Sequence, residues 1–509
     1  MSSILTNNSA MVALQTLKGI NKNMGQIQNE ISTGKSVATA KDNAAVWAIS
    51  KVMESDVKGF MGISDSLSLG SSTISVARQA SETVTKLLTD IKGKVVAAQE
   101  GNVDRGKIQT DIAALAEQIK SVTGAAQFNG LNMVKGTEDV SILSSLDRES
   151  NGNVTAANIK VDRQDLTNSA GTVGTGASLA TKAVIQNSAT AVTSAANTAV
   201  ITYTGTVAND KASLKIGDTD VSFTVLTGAA SVTDMAAGLA GAINGLGLEG
   251  VTATNTAGVL TISSTKAFAG LKVDQAIAGT GTAAITNVNG AAPAAPNTAT
   301  SSTISQRAEE IKFATGGANA GDGFTVTLQG KAFSYVAGKG ETMEDVARGL
   351  KIAIDSGAVG GVATQVKQDA TSGAWSLMID NDGSTSASMS LANSGAAGGT
   401  ASGGLFGLDG LNVTTDAGAK SALTNIETMI SRSIDAAASF GSAQKRIEIQ
   451  SDFVGQLSDA LKSGIGSMVD ADMEETSARL QALQVQQQLG VQALSIANQS
   501  PQSILSLFR

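Results

Sequence analysis

The chain has 509 residues and contains neither cysteine nor histidine. That removes disulfides, thiol nucleophiles, thiolate and imidazole metal ligands and the commonest general base. The sequence accordingly offers no catalytic residue, no metal site and no cofactor site. Aromatic residues make up 3% of the chain, against 55 glycines and 3 prolines, so small-residue packing must replace aromatic pockets. A formal net charge of −8 gives no basic footprint for a nucleic-acid polyanion. No segment reaches the roughly 20 apolar residues of a membrane span. The start, "MSSILTNNSAMVALQTLKGINKN", lacks the basic leader and unbroken apolar core of a secretory signal.

What is present falls into three parts: a helix-patterned start to about residue 135, a Gly/Thr/Ser/Val-rich middle to about 410, and a helix-patterned end. Near the start, Ala10, Ala13, Leu17, Ile20, Met24, Ile27 and Ile31 recur at alternating steps of three and four, the spacing of a coiled-coil seam. After a break near Gly34, "DNAAVWAIS" opens one long helical pattern that runs to "KGKVVAAQ", and "DRGKIQTDIAALAEQIKSVTGAA" forms another. At the other end Met473, Leu480, Leu483, Leu494 and Ala497 share one heptad register, filled by Thr476, Gln487 and Gly490. Ala482, Val485, Leu489 and Ile496 form a second stripe on a different face. Two stripes imply neighbours on more than one side.

Between Arg479 and Arg509 there is no charge, and the segment is full of Gln and Asn. A membrane span would not carry so many amides, and a helix facing water would carry charges. The composition predicts a helix buried among protein partners, with amides bonding between chains. Two helices of one intramolecular bundle are the alternative. The placement of both seams at the chain ends, where domains usually fray, favours segments that order on association.

The middle carries a repeat. The stretch from Ile201 can be laid over the stretch from Ile311, matching Val221 with Phe333, Phe223 with Tyr335, Asp234 with Asp345, Ala236 with Ala347, Gly238 with Gly349, Leu239 with Leu350 and Ile243 with Ile354. Each unit reads as strands, a helix, then more strands. Ser231 with Asp234, and Thr342 with Asp345, have the spacing of an N-terminal helix cap and its acidic partner. The segment "NVNGAAPAAPNTATSST", with two of the three prolines, reads as the linker between two small α+β modules.

Three short motifs suggest chemistry and lack its context. Gly34-Lys35-Ser36 ends like a phosphate-binding loop, but Asn29 stands where the first glycine is needed, and a helical run precedes it where a strand should be. "GLGLEG", Gly245 to Gly250, follows a helix and leads into a strand, the reverse of a dinucleotide fingerprint. "DNDG", Asp380 to Gly383, has no calcium-loop partners at the required positions and reads as a turn. Gly34 instead breaks the first seam, and Asp42 is expected to favour the N-terminal end of the next helix.

The ends resemble bacterial flagellins. "ILTNNSAMVALQTL" is similar to the family's start, "STGKSVATAKDNAAVWAIS" to its turn and Ala-Lys-Asp-(Asp/Asn)-Ala-Ala segment, "VTGAAQFNGLNMV" to its Gln-Phe-Asn-Gly motif, and "LQVQQQLGVQALSIANQSPQSILSLFR" to its closing run. The likeness covers about the first 165 and last 100 residues, and the middle is similar to modules often inserted in the family. It implies a multidomain fold: an all-α coiled-coil or helical-bundle rod formed by both ends, with a β-rich α+β region inserted. The implied domains are an inner-tube helix at 1–42, outer-tube residues 43–170, modules at 171–290 and 291–410, the returning outer-tube residues 411–468 and a C-terminal inner-tube helix at 469–509. Ala10, Ala13, Leu17, Ile20, Met24, Ile27, Ile31, Met473, Leu480, Leu483, Leu489, Leu494 and Ala497 become a polymerisation seam, and Gly34 with Asp42 the elbow between tubes.

The implied function is that of the subunit which polymerises into the extracellular flagellar filament for swimming, without enzymatic activity. The implied partners are other copies or other flagellins, an export chaperone and the type III export apparatus, and the hook-associated junction and cap proteins. A hook-filament junction protein, or a secreted adhesin whose middle modules bind a surface ligand, are the alternatives. Some flagellins are recognised by an innate-immune receptor through an Arg-Glu-Leu segment. Lys92, Gly93 and Lys94 stand at that place, which argues against receptor activation of that kind.

Overall fold

The computed structural model describes residues 7–148, 153–226, 231–292 and 299–507. Five helices belong to the two chain ends: α1 Asn8–Thr33, α2 Ala44–Ala97, α3 Arg105–Ala125, α6 Asp416–Val469 and α7 Met473–Leu507. Two more, α4 Val232–Gly245 and α5 Met343–Ser356, lie in the middle. The described residues fall into two compact units, one within Met1–Ser72, Ser141–Val161 and Ser442–Arg509, the other within Thr73–Val140 and Asp162–Gly441.

The long helices α2 and α6 are built on one repeat. Among the buried positions of α2, Ile63, Leu67, Gly70, Ile74, Ala77, Ser81, Val84, Leu88, Ile91 and Val95 follow an unbroken alternation of four and three. In α6, Ala419, Ala422, Ile426, Met429, Ser433, Ala436, Phe440, Ala443 and Ile447 do the same. Where polar residues enter these seams they are paired: the Ser433 and Thr85 hydroxyls lie 2.9 Å apart, and Ser433 donates to the Ser81 carbonyl at 3.1 Å. Small polar residues at seam positions hide this repeat from a purely apolar count.

Two short hairpins accompany the helices. β1 Gln127–Phe128 and β2 Leu131–Asn132 pair across Asn129 and Gly130, both at positive φ, as a two-residue Asn-Gly turn demands. β3 Val140–Arg148 pairs with β4 Val154–Val161. In the first unit this hairpin packs on the helices: the Gln450 side chain of α6 donates to the Ser144 carbonyl at 2.9 Å. A Cβ on Gly70 would meet Ile142 at 2.6 Å.

Among the described residues the middle holds sixteen strands. β5 Ala183–Ile185, β6 Ala191–Val192, β7 Asn197–Thr204, β8 Lys211–Ile216 and β9 Thr219–Thr224 precede α4. β10 Val251–Thr256, β11 Val259–Ser264, β12 Leu271–Ala278, β13 Thr282–Val288, β14 Ser301–Ile304, β15 Glu309–Phe313, β16 Gly323–Leu328 and β17 Lys331–Val336 lie between α4 and α5. β18 Val362–Gln368, β19 Trp375–Asn381 and β20 Ala387–Ser394 follow α5.

They form four four-stranded antiparallel sheets, ordered β10-β11-β7-β13, β14-β12-β8-β9, β18-β19-β15-β5 and β17-β16-β20-β6. Each pair of sheets packs with one helix around its own apolar core. Met235, Ala236, Leu239 and Ile243 of α4 belong to one core, and Val346, Ala347, Leu350 and Ile354 of α5 to the other.

The repeat is therefore real, but its two copies are closed by different parts of the chain. β13 edges the first module, with Ile285 opposite Ile201. In the second module β5 takes that place, with Ile185 opposite Ile311. Likewise β14 pairs with β12 in the first module, and β6 with β20 in the second. The second module thus uses 183–192 and 309–394, and the first, 197–304, is inserted inside it.

This corrects the expected boundaries of 171–290 and 291–410. Residues 183–192 belong with the second module, and β14 at 301–304 with the first. The strands concerned are two to four residues long, too short to show a period of two. The linker expectation is corrected at its ends, where 287–288 and 301–303 lie in β13 and β14; its residues 293–298 lie outside the described residues.

The "GLGLEG" segment joins α4 to β10 as a loop. "DNDG" is only half a turn, because Asp380 and Asn381 are buried in β19.

Candidate assembly surfaces

In the first unit α1 and α7 pair along the expected register. Ala10, Ala13, Leu17, Ile20, Met24 and Ile31 are half-buried and Ile27 is buried, while most of the residues between them are exposed. On α7, Thr476 is buried and Leu480, Leu483, Gln487, Gly490, Leu494 and Ala497 are half-buried. Gly490 admits its neighbours closely, since a Cβ there would lie 3.3 Å from Leu17 Cδ1. Polar ties fix the register: Gln487 donates to Asn21 Oδ1 at 2.8 Å, and Asn7 Nδ2 to the Ala497 carbonyl at 2.8 Å. Asn7 also caps α1, accepting from the Ala10 N–H at 3.1 Å. At least one of the amides expected to bond between chains thus bonds within this one.

Two of the residues named for the polymerisation seam are exposed in the single chain: Met473, which keeps the heptad register at the first position of α7, is 44% exposed, and Leu489, which belongs to the second stripe, is 58% exposed. Leu489 joins Val485, Val491 and Ile496 as exposed apolar residues on α7, and Met11, Val12 and Leu14 are exposed on α1. An apolar surface of this extent is unusual on a protein that stays alone in water.

The elbow is a junction of two segments of the chain. Gly34 ends α1 with φ 66°, ψ 14°, a left-handed conformation that suits glycine. The Ser36 N–H donates to the Val469 carbonyl at 2.7 Å, and the Ala471 N–H to the Gly34 carbonyl at 3.0 Å, so the break after α1 is zipped to the break between α6 and α7. Sequence reasoning did not find this partner, since nothing local to Gly34 points to Ala471.

Asp42 lies two residues before the start of α2 and closes a turn there. Its carboxylate accepts from the Thr39 N–H at 2.9 Å and the Thr39 hydroxyl at 3.0 Å, and these bonds hold its pKa below the ordinary value. Asn43 does the capping of α2, accepting from the Val46 N–H at 3.2 Å.

In the second unit Lys92 pairs with Glu427 at 2.5 Å and Lys94 with Asp111 at 2.5 Å, with Gly93 between them. Among the described residues no group of three or more Asp and Glu is placed to hold a metal ion, and no helix is long and apolar enough to cross a membrane.

A helical pair formed by the two chain ends, apolar residues left uncovered on it, and β-rich modules inserted in the chain between those ends are the features of a self-assembling structural protein. Residues 4–139 match the family model of the bacterial flagellin N-terminal helical region, and residues 423–508 that of the C-terminal helical region. The chain is 31% identical to Flagellin A of Rhizobium meliloti over 100% of both chains, and 30% identical to Flagellin B of the same organism over 100% of both. It is 39% identical to a flagellin of Brucella melitensis over 30% of this chain and 54% of that one. The chain belongs to the bacterial flagellin family and is a structural subunit of the extracellular flagellar filament.

Proposed function

We propose that the subunit divides its two terminal stripes between two tasks. The heptad seam of Ala10, Ala13, Leu17, Ile20, Met24, Ile27 and Ile31 with Leu480, Leu483, Leu494 and Ala497 forms the α1–α7 pair inside each copy. The exposed apolar residues Met11, Val12, Leu14, Met473, Val485, Leu489, Val491 and Ile496 are what neighbouring copies cover. Their exposure is the observation that carries this reading. Each such side chain, once buried, contributes about 1.5 to 3 kcal/mol, so a few per copy offset the ordering of two tails. Contacts of different patches on successive copies do not close and generate a helical filament.

The remaining assignments are of the same standing. The segments 1–42 and 469–509 act as inner-tube elements, 43–170 and 411–468 as outer-tube elements, and Gly34 as the elbow between them. The subunit has no enzymatic activity, in keeping with a chain that lacks His and Cys. An export chaperone holds the uncharged C-terminal segment before passage through the type III apparatus, and hook-associated junction and cap proteins bound the filament. Lys92-Gly93-Lys94 gives no innate-immune receptor activation of the Arg-Glu-Leu kind.

The test separates the two stripes. Removing Gln481 to Arg509 leaves a monomer with folded middle modules, and filaments from that chain under the electron microscope would sink the reading. Val485→Ser with Leu489→Ser and Ile496→Ser keeps the helical content of the monomer and abolishes polymerisation.

A further inference from the structure

We infer that Arg432 and Lys351 are positioning residues that set the second module on the helical rod, fixing what the filament carries outside its core. Arg432 projects from α6, and its side chain is 14% exposed. Its Nη2 donates to the Tyr335 hydroxyl at 2.9 Å and lies 3.3 Å from Glu341 Oε1, while Nη1 reaches the Gly404 carbonyl at 3.3 Å. The guanidinium carbon stands 5.6 Å from the centre of the Tyr335 ring. Tyr335 in turn donates to the Glu341 carboxylate at 2.7 Å, and that carboxylate accepts the Gly338 N–H at 2.9 Å. One side chain of the rod thus engages β17, the loop after it and the chain leaving the module.

One heptad earlier on the same face of α6, Thr424 and Asn425 receive Lys351. Its ammonium donates to Thr424 Oγ1 at 2.9 Å, Asn425 Oδ1 at 2.8 Å and Asp355 Oδ2 at 2.7 Å. Asp355 is held by Thr364 at 2.5 Å and Asn425 at 3.0 Å. Lys351 is 7% exposed. Asp345, Arg348, Lys351 and Asp355 follow steps of three, three and four, so the whole docking face of α5 carries charge.

Charges buried this way stabilise little compared with apolar packing, but a misplaced module leaves each of them unpaired, which is costly. The arrangement therefore selects one orientation. The inserted module shows the contrast. At the positions of Arg348, Lys351 and Ile352 its helix α4 has Ala237, Ala240 and Gly241, and Ala237 and Gly241 are exposed whereas Ile352 is buried. The repeated fold was kept and the docking face was not.

The full chain carrying Arg432→Ala and Lys351→Ala tests this. Its filaments should form with unchanged rod density and lose the outer-module density on helical averaging. Outer density as sharp as in the parent would overturn the inference. In the monomer the cysteine-free sequence allows spin labels at Glu344→Cys and Ser431→Cys. Their distance distribution should be narrow, should broaden with Arg432→Ala, and should be only partly restored by Arg432→Lys, which keeps the charge without the fork. An unchanged distribution in Arg432→Ala overturns the assignment. If Trp375 fluorescence shows that the double variant unfolds the module, Thr424→Ala with Asn425→Ala removes bonds from the rod side alone, and the same readouts decide.

Discussion

The first module closes its sheets with β13 and β14, which follow it in the chain, whereas the second closes them with β5 and β6, which precede the inserted copy. The two nevertheless agree in detail. Gly238 lies under the Phe223 ring and Gly349 under the Tyr335 ring, where a Cβ would come within 2.3 and 2.4 Å of ring carbons. Ser231 accepts from the Asp234 N–H at 3.2 Å, and Thr342 closes a full capping box with Asp345. Asp210 and Asp322 each turn back to accept an N–H three residues upstream, at 3.0 Å in both. The fold depends on the pattern of contacts and not on the order in which the chain supplies its edges. What distinguishes the modules is attachment, a matter of a few surface residues on one helix.

The joint between the modules offers the largest predicted effect. The Arg307 N–H donates to the Lys266 carbonyl of the first module at 2.9 Å. The Arg307 side chain grips Asp380 of the second, with bonds of 2.8 and 2.6 Å, and the two side chains are only 9% and 4% exposed. Arg307→Ala leaves Asp380 buried without its cation and should cost about 3 to 5 kcal/mol in denaturant unfolding of the second module. A loss below about 1 kcal/mol, the scale of a surface pair, would show that the joint is held otherwise.

Next in size are the glycines under the rings. Gly238→Ala and Gly349→Ala each force an aromatic ring aside, which costs about 1 to 3 kcal/mol. Calorimetry should show each variant lowering only the transition of its own module. A coupled shift of both would break the picture of two separate cores.

Acid should act on the inserted module through Asp210. Its carboxylate accepts the N–H groups of Val207, Thr280 and Gly281 at 3.0, 3.0 and 2.9 Å. These bonds, that from Val207 foremost, hold its pKa below the ordinary value. A lowered folded value means that the stabilisation is complete above the unfolded pKa and is lost as pH falls through the folded one. The melting temperature of the first module should therefore drop below about pH 4, and Asp210→Asn should flatten that acid limb. Smallest of all is Ala237→Arg, which gives α4 the cation of its counterpart on an exposed face. It should change stability by no more than about 0.5 kcal/mol in the same melts.

The sequence by itself determined the periodic parts. The seam of α1, the register of α7, the long helices, the repeat and its paired glycines and caps all follow from local spacing, because a helix or strand writes its buried face into residues a few positions apart. Tertiary structure alone decided the rest. It paired Gly34 with Ala471 and Ser36 with Val469, left Met473 and Leu489 exposed, made Asn43 the cap of α2, and gave β5 and β6 to a module that begins again at residue 309. Those outcomes turn on partners hundreds of residues apart or on strands of two or three residues. No local period encodes such contacts, and they exist only once the chain has closed on itself.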